Sequence, residues 1–336
     1  MKKFIVIIGV IIILGLLTAG FVYWLAVSPV KADSVDFTVH KGETSAVAAN
    51  QLKLAGLIRS KTAFIIMSKL SNLKLKAGAY KLPTNPTPDS IINVLQLGPR
   101  AGDEKTILIK EGVNNKAIEE YLKTNNLIID GSFLKIATTL IGNLPAEYQK
   151  FDFIKEAPKK VDLEGFLFPD TYRLFINDGG EQLIAKQLNN FDNKVTPEMR
   201  AEIKRQGKSL YEIIVMASIV EKEVRSTADM KIVAGIFWDR MKNSQRLESC
   251  ATLAYILGVN KLQYSYEDTQ IDSPFNTYRN DGLPPTPIGN PGIRAIEAAI
   301  YPEYTGYQFF LTASDGQTIW AKTFEQHKAN KAKYLK

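Results

Sequence analysis

An uncharged run from Phe4 to Val27 constrains this chain more than any other feature, because so long an apolar stretch rarely belongs to a soluble core. Its 24 residues would reach roughly 36 Å as a helix, enough to cross a hydrocarbon core of about 30 Å with some tilt. Lys2 and Lys3 precede it, and Tyr23 and Trp24 stand near its far end, where amphipathic rings prefer the interface. The pattern predicts a cytoplasmic stub over 1–3, a transmembrane helix over 4–27 and a linker over 28–34, with the rest outside the cytoplasm. Val30-Lys31-Ala32 also reads as a signal cleavage site, but a signal's apolar region runs to only about 7–15 residues.

Past the linker, Val35, Phe37 and Val39 alternate with polar residues as in a half-buried strand. A turn at Gly42, a helical pattern through Val47, Ala48 and Leu52, and a closing Gly56-Leu57-Ile58 follow. The layout recurs: Ile107 and Ile109, Gly112, Ile118 and Leu122, then Leu127-Ile128, so that both the glycines and the closing pairs stand 70 positions apart. Such a repeat marks a supersecondary unit used twice. Between the copies, the proline-rich Leu82–Pro88 reads as a connector, and a helix through Ile91, Ile92 and Leu95 ends at Gly98-Pro99. The expected division is a small subdomain over 35–101 and a larger domain over 102–336. Strands and helices do not alternate strictly in the latter, which argues for α+β.

Residue inventory excludes several chemistries. Cys250 is the sole cysteine and His40 and His327 the only histidines, so a disulfide framework or a histidine-rich zinc site is not available. The formal charge of +7 suits an anionic polymer or a membrane surface as neighbour; no nucleic acid partner is expected.

Ser209-Leu210-Tyr211-Glu212 has the form of a capping box, and Ile213–Val220 is apolar on nearly every side, as in a buried helix. Glu221 follows on the stripe of Leu210, Ile214 and Ala217, while Glu223 points the opposite way. A carboxylate on such a stripe is pushed toward its protonated form, which suits a general acid. Glu221 and Arg225 are equally well spaced for a plain i,i+4 helix pair worth about 0.3–0.5 kcal/mol, and the pattern alone leaves both readings open.

Several motifs then occur in order: Leu163-Glu164-Gly165-Phe166-Leu167-Phe168-Pro169-Asp170-Thr171-Tyr172; Ala217-Ser218-Ile219-Val220-Glu221-Lys222-Glu223; Val233–Phe237 with Arg240; Ser273–Arg279; and Gly282-Leu283-Pro284-Pro285 leading to Asn290-Pro291-Gly292. In this series the chain resembles the endolytic murein transglycosylases, the YceG-like family. The resemblance implies a membrane anchor, a LysM-like α+β subdomain and a mixed α+β catalytic domain that needs no metal or cofactor. It implies that Glu221 protonates the oxygen between N-acetylmuramic acid and N-acetylglucosamine. The same carboxylate then serves as base toward the muramoyl 6-hydroxyl, leaving a 1,6-anhydro end. Asn276, Tyr278 and Asn290 become substrate-binding candidates, and Glu164 and Asp170 structural ones. Expected partners are peptidoglycan glycan strands near the membrane and the synthases that make them, with cutting of nascent strands to end their elongation as the biological task. Glu248, Cys250 and Thr318 depart from the family's usual glutamine, aspartate and histidine. His327 matches a second family histidine.

Two other classes remain in view. Ser218 and Lys222 lie one turn apart and could form a Ser-Lys hydrolytic dyad. A wall-binding scaffold without catalysis would need neither that pair nor Glu221.

Overall fold

The computed structural model describes residues 20, 24, 26–40, 42–99, 104–128, 131–175, 180–261, 263–313 and 315–335. The predicted membrane span over 4–27 lies almost entirely outside them. Among the described residues no helix is long and apolar enough to cross a membrane. The chain forms two compact units that divide between Lys105 and Thr106. The expected boundary at 101/102 falls among residues outside the description.

The first unit begins with β1 (Val35–Val39), α1 (Ser45–Leu54) and α2 (Lys61–Leu70), and continues with β2 (Gly78–Leu82) and α3 (Pro88–Leu97). β1 and β2 pair antiparallel, with Val35 opposite Leu82 and Val39 opposite Gly78. The alternation seen in sequence turns Phe37, Val39, Tyr80 and Leu82 inward, onto Leu52, Phe64, Ile91 and Leu95 of the three helices. Each helix start is capped: Thr44 accepts from Val47, Ser60 from Ala63, and Thr87 forms a reciprocal box with Ser90. Residues 1–105 carry 13 basic and 6 acidic side chains, whereas residues 106–336 carry 29 of each. The chain's net positive charge therefore resides in its first third.

The second unit opens on β3 (Glu104–Leu108) and α4 (Asn115–Thr124). Here the sequence repeat proves to be structural. Gly42 and Gly112 both take positive φ, 84° and 77°. Leu57 and Leu127 each donate to the carbonyl five residues back, both at 2.9 Å, closing the two helices with the same turn. The unit continues through α5 (Ser132–Ala137) and α6 (Asp152–Glu156) to β4 (Thr171–Phe175), which pairs with β3. Then come α7 (Glu181–Lys194), α8 (Pro197–Arg205), α9 (Leu210–Glu223), α10 (Thr227–Lys242), α11 (Cys250–Leu257), α12 (Tyr266–Thr269) and α13 (Ile293–Ile300). A hairpin of β5 (Phe309–Thr312) and β6 (Thr318–Ala321) and a last helix, α14 (Phe324–Tyr334), complete it. Among the described residues, three two-stranded sheets and many helices make the architecture α+β, as expected.

α9 is the axle of this unit. The capping box forms: Glu212 N–H donates to Ser209 Oγ at 3.1 Å, and Ser209 N–H to Glu212 Oε2 at 2.8 Å. No residue from Ile213 to Val220 is more than 1% exposed, because α10, α11 and α13 pack around it. Gly165, at φ 89°, lies so close to Pro287 and Ile214 that a Cβ there would overlap both. That contact lets the Leu163–Leu167 segment press directly onto the helix.

Candidate active site

α9 ends at Glu223 because Val224 turns to an extended conformation, φ −144° and ψ 163°. Its last turn presents Glu221 and Glu223 on different sides, as helical spacing requires. Arg225 lies beyond the helix, so the anticipated Glu221–Arg225 pair does not form among the described residues.

Glu221 faces the loops 110–114 and 288–292. Its Oε2 accepts the Gly292 N–H at 2.9 Å, at the start of α13. The two loops hold each other: Gly112 N–H donates to Asn290 O at 2.8 Å and Asn290 N–H to Val113 O at 2.9 Å. Gly112 packs against the Glu221 side chain so tightly that an added Cβ would stand 3.2 Å from Cγ. Glu111 lies over Gly292 and is bound by Arg294 at 2.9 Å. Burial pushes the Glu221 carboxyl up to about 7; the Gly292 N–H opposes this, and the nearby Glu111 charge adds to it. Glu221 thus sits between the helix end and these two loops, outside the cleft that Glu223 lines.

Glu223 stands in the wall of a cavity of about 830 Å³. The other walls come from α10 (Phe237, Arg240), Leu247–Cys250, Tyr264, Tyr278, β5 and α14. Ser249 Oγ and the Ala251 N–H, at 3.1 Å, both donate to its Oε1. Oε2 has no hydrogen bond from the described residues. Burial raises the pKa of Glu223, while the Ser249 and Ala251 donors and the charge of Arg240 pull the other way. Arg240 is itself fixed by the Leu247 carbonyl at 2.7 Å and the Gln308 carbonyl at 3.0 Å. It also pairs with Glu248 at 3.5 Å. A carboxyl oriented through one oxygen and open through the other, inclined toward protonation, has the makings of a general acid. Aromatic faces of Tyr264, Phe309 and Phe324 line the same space. Such a lining suits a sugar or another ring-shaped ligand. Among the described residues, no three histidine, cysteine, aspartate or glutamate side chains are grouped to hold a metal ion.

The other sequence candidates separate clearly. Tyr278 lines the cleft, its hydroxyl 3.2 Å from Cys250 Sγ. Asn276 and Asn290, the other two substrate-binding candidates, are fully buried. Asn276 donates to the Thr269 and Ile271 carbonyls at 3.0 and 2.8 Å and accepts the Tyr278 N–H at 3.0 Å. Asn290 accepts the Gly165 and Leu167 N–H groups at 2.9 and 3.0 Å. Its amide donates to the Val113 carbonyl, the Asn115 side chain and Glu164. Both amides are consumed in bracing loops, and no polar atom is left over for a ligand. Glu164, buried and pushed up to about 8 mainly by desolvation, receives the Asn115 N–H and the Asn290 amide. Asp170 accepts from Thr171 and Asn190. Both are structural, as expected.

Ser218 is fully buried; its hydroxyl donates to the Val215 carbonyl at 2.7 Å and accepts the Ile288 N–H at 3.0 Å. It cannot act as a nucleophile from there, and the Ser-Lys dyad is excluded. Thr318 donates to Asp229 at 3.0 Å. His327 lines the cleft, stacked on Phe309 with ring centroids 5.4 Å apart.

Glu223 is the residue that sequence reasoning passed over, although a signal was present. Met216, Ile219 and Val220 give it the same apolar stripe that had recommended Glu221. The stripe criterion never distinguished them.

Residues 37–333 match the YceG-like family. The chain is 31% identical to the endolytic murein transglycosylase of Bacillus subtilis (strain 168) over 315 residues, covering 91% of this chain and 87% of that protein. It is 28% identical to the endolytic murein transglycosylase of Streptococcus pneumoniae serotype 2, covering 98% of this chain and 65% of that longer protein. Its fold superposes on the crystal structure of a yceG-like protein from Listeria monocytogenes with a TM-score of 0.58 at 29% identity. That match covers 88% of this chain and 98% of the other.

Proposed function

The chain belongs to the YceG-like family, and from that premise we propose that it is a lytic transglycosylase that cuts peptidoglycan glycan strands with Glu223 as its acid/base. The observation that carries the assignment is the unpaired Oε2 of Glu223 in the wall of the 830 Å³ cleft. In the reaction, the protonated carboxyl gives its proton to the oxygen leaving muramoyl C1. The resulting carboxylate takes the proton of the muramoyl 6-hydroxyl as that oxygen closes on C1. One carboxyl serves both steps because the substrate supplies its own nucleophile, whereas water-dependent glycosidases need a second. Arg240 lies close enough to steady the carboxylate between the steps.

Glu221 is the second reading, favoured by a carboxyl pushed up to about 7, and the Gly112 and Gly292 contacts weigh against it. Mass spectrometry of glycan digested by the purified protein separates the two, with Glu223→Gln and Glu221→Gln alongside. Anhydromuramoyl ends from the parent and Glu221→Gln, but not from Glu223→Gln, are the expected result. Loss in Glu221→Gln alone moves the role to that residue. Reducing ends mean that water attacks, with Glu248 as the second carboxylate present in the cleft. No cleavage by the parent protein points to a scaffold.

We also propose that the run over 4–27 anchors the protein in the cytoplasmic membrane with its N-terminus inside. Lys2 and Lys3 directly before the run support this orientation, since basic residues beside a span favour the cytoplasmic side. The small unit is then a LysM-like spacer, and the enzyme works on nascent strands beside the synthases. Removing residues 1–28 changes which strands are cut; unchanged product lengths would count against tethered action.

A further inference from the structure

Among the described residues, two of the lysine and arginine side chains that line the cleft are paired with a carboxylate and one is not. Arg240 is paired with Glu248, and Lys328 with Glu325 at 2.8 Å. Lys331, one turn beyond Lys328 on α14, lines the same cleft and forms no ion pair among the described residues. Its ammonium acts on two neighbours that also face the space. Burial, and then the Lys331 charge, hold His327 below the usual imidazole range. Burial raises the Cys250 thiol, and Lys331 opposes that rise. Lys331 itself stays exposed to solvent at the cleft wall, and its charge reaches these two lining groups.

A glycan backbone of N-acetylated hexoses has no charge to meet it. Sugar rings are held by aromatic faces and hydrogen bonds, and Tyr264, Phe309 and Phe324 provide the faces. A compact, hydrated ammonium adds little to such a contact but is well suited to a carboxylate. Muramic acid offers one through its 3-O-lactyl group, either as the free acid or through an attached peptide.

On the reading of the cleft as a glycan site, we propose that Lys331 is a specificity residue that selects strands whose muramoyl 3-O-substituent bears a carboxylate. It takes no part in proton transfer, so it acts on binding and leaves the chemical step alone.

Binding is the direct test, measured on the full chain carrying Glu223→Gln to prevent turnover, with and without Lys331→Gln. Three glycan fragments serve as probes: one with stem peptides, one stripped to free lactyl carboxylates, and one stripped with those carboxylates converted to amides. Lys331→Gln is expected to weaken binding of a carboxylate-bearing glycan about fivefold, the scale of a partly exposed ion pair. The amide form is unaffected, Lys331→Arg restores affinity, and added salt narrows the difference. Loss confined to the peptide-bearing glycan assigns the carboxylate to the peptide; loss on the stripped acid form assigns it to the lactyl group. Equal affinities for all three glycans with and without Lys331→Gln overturn the proposal and leave the glycan reading intact. If the Glu223→Gln protein binds none of the three, the glycan reading itself fails and takes this inference with it.

Discussion

Glu221 and Glu223 stand two residues apart on one helix, follow the same apolar run and both have raised pKa values, yet only Glu223 belongs to the wall of the 830 Å³ cleft. Glu221 packs instead against Gly112, with the Gly292 N–H and Glu111 beside it. Desolvation alone is thus a poor guide to catalysis; buried structural carboxyls such as Glu164 share it. Each carboxyl has one oxygen held and, among the described residues, one without a hydrogen bond. What separates them is place: Glu221 is held by the Gly292 N–H beside the 110–114 and 288–292 loops, and Glu223 by Ser249 and Ala251 in the wall of the cleft.

The strongest way to break this contrast is kinetic. Glu223→Gln should lower the cleavage rate by roughly 10²–10⁴, the usual worth of a general acid, with thermal unfolding little changed, whereas Glu221→Gln should keep most of its activity. The reverse pattern in anhydromuramoyl release would exchange their roles.

Next comes the loop brace on the Glu221 side. Asn290→Ala strands the Gly165 and Leu167 N–H groups in a buried place, and urea denaturation should show a loss of about 3 kcal/mol or more. Unchanged stability with weakened glycan binding would return Asn290 to the substrate site. Gly112→Ala meets both a positive φ of 77° and the Glu221 side chain at 3.2 Å; a loss of about 1–2 kcal/mol is expected. Little change there would mean that Glu221 has more freedom than its contacts imply.

The smallest effect is pH-dependent. Folding lifts the Glu221 pKa from 4.5 to about 7, so the folded state binds the extra proton and this group's contribution falls as pH rises between those values. The loss is about 1–2 kcal/mol after allowance for solvent screening. Glu221→Gln should flatten that part of the stability–pH curve and gain on the parent above pH 7. Parallel curves would show that Glu221 titrates normally.

Much of the scaffold was legible before any coordinates. The 70-residue repeat predicted two strand-turn-helix units, and the structure repeats the turn down to the hydrogen bonds of Leu57 and Leu127. Ser209 and Glu212 marked the start of α9, and its unbroken apolar sequence announced a helix packed on all sides. That completeness also hid the site. A helix with one polar face shows which way is out, but Ile213–Val220 has none, so nothing local revealed which glutamate met the cleft. Asn276 and Asn290 were ambiguous for a related reason. Polar residues in proline- and glycine-rich loops bind ligands or pin the loop to itself, and only the fold decides which. The wall built by β5 and α14 brings residues 309–335 to Glu223 across a long sequence separation that periodicity cannot report.

The close packing of α9 also bears on how such a chain can change over generations. Substitutions that conserve volume between Ile213 and Val220 alter little, but inserting or deleting one residue there turns everything beyond it by about 100°. Glu221 would leave the Gly292 N–H and Glu223 would leave Ser249 in the same event. Length variation in descendants is accordingly expected in the surface connections, while the span from Ser209 to Glu223 keeps a constant residue count.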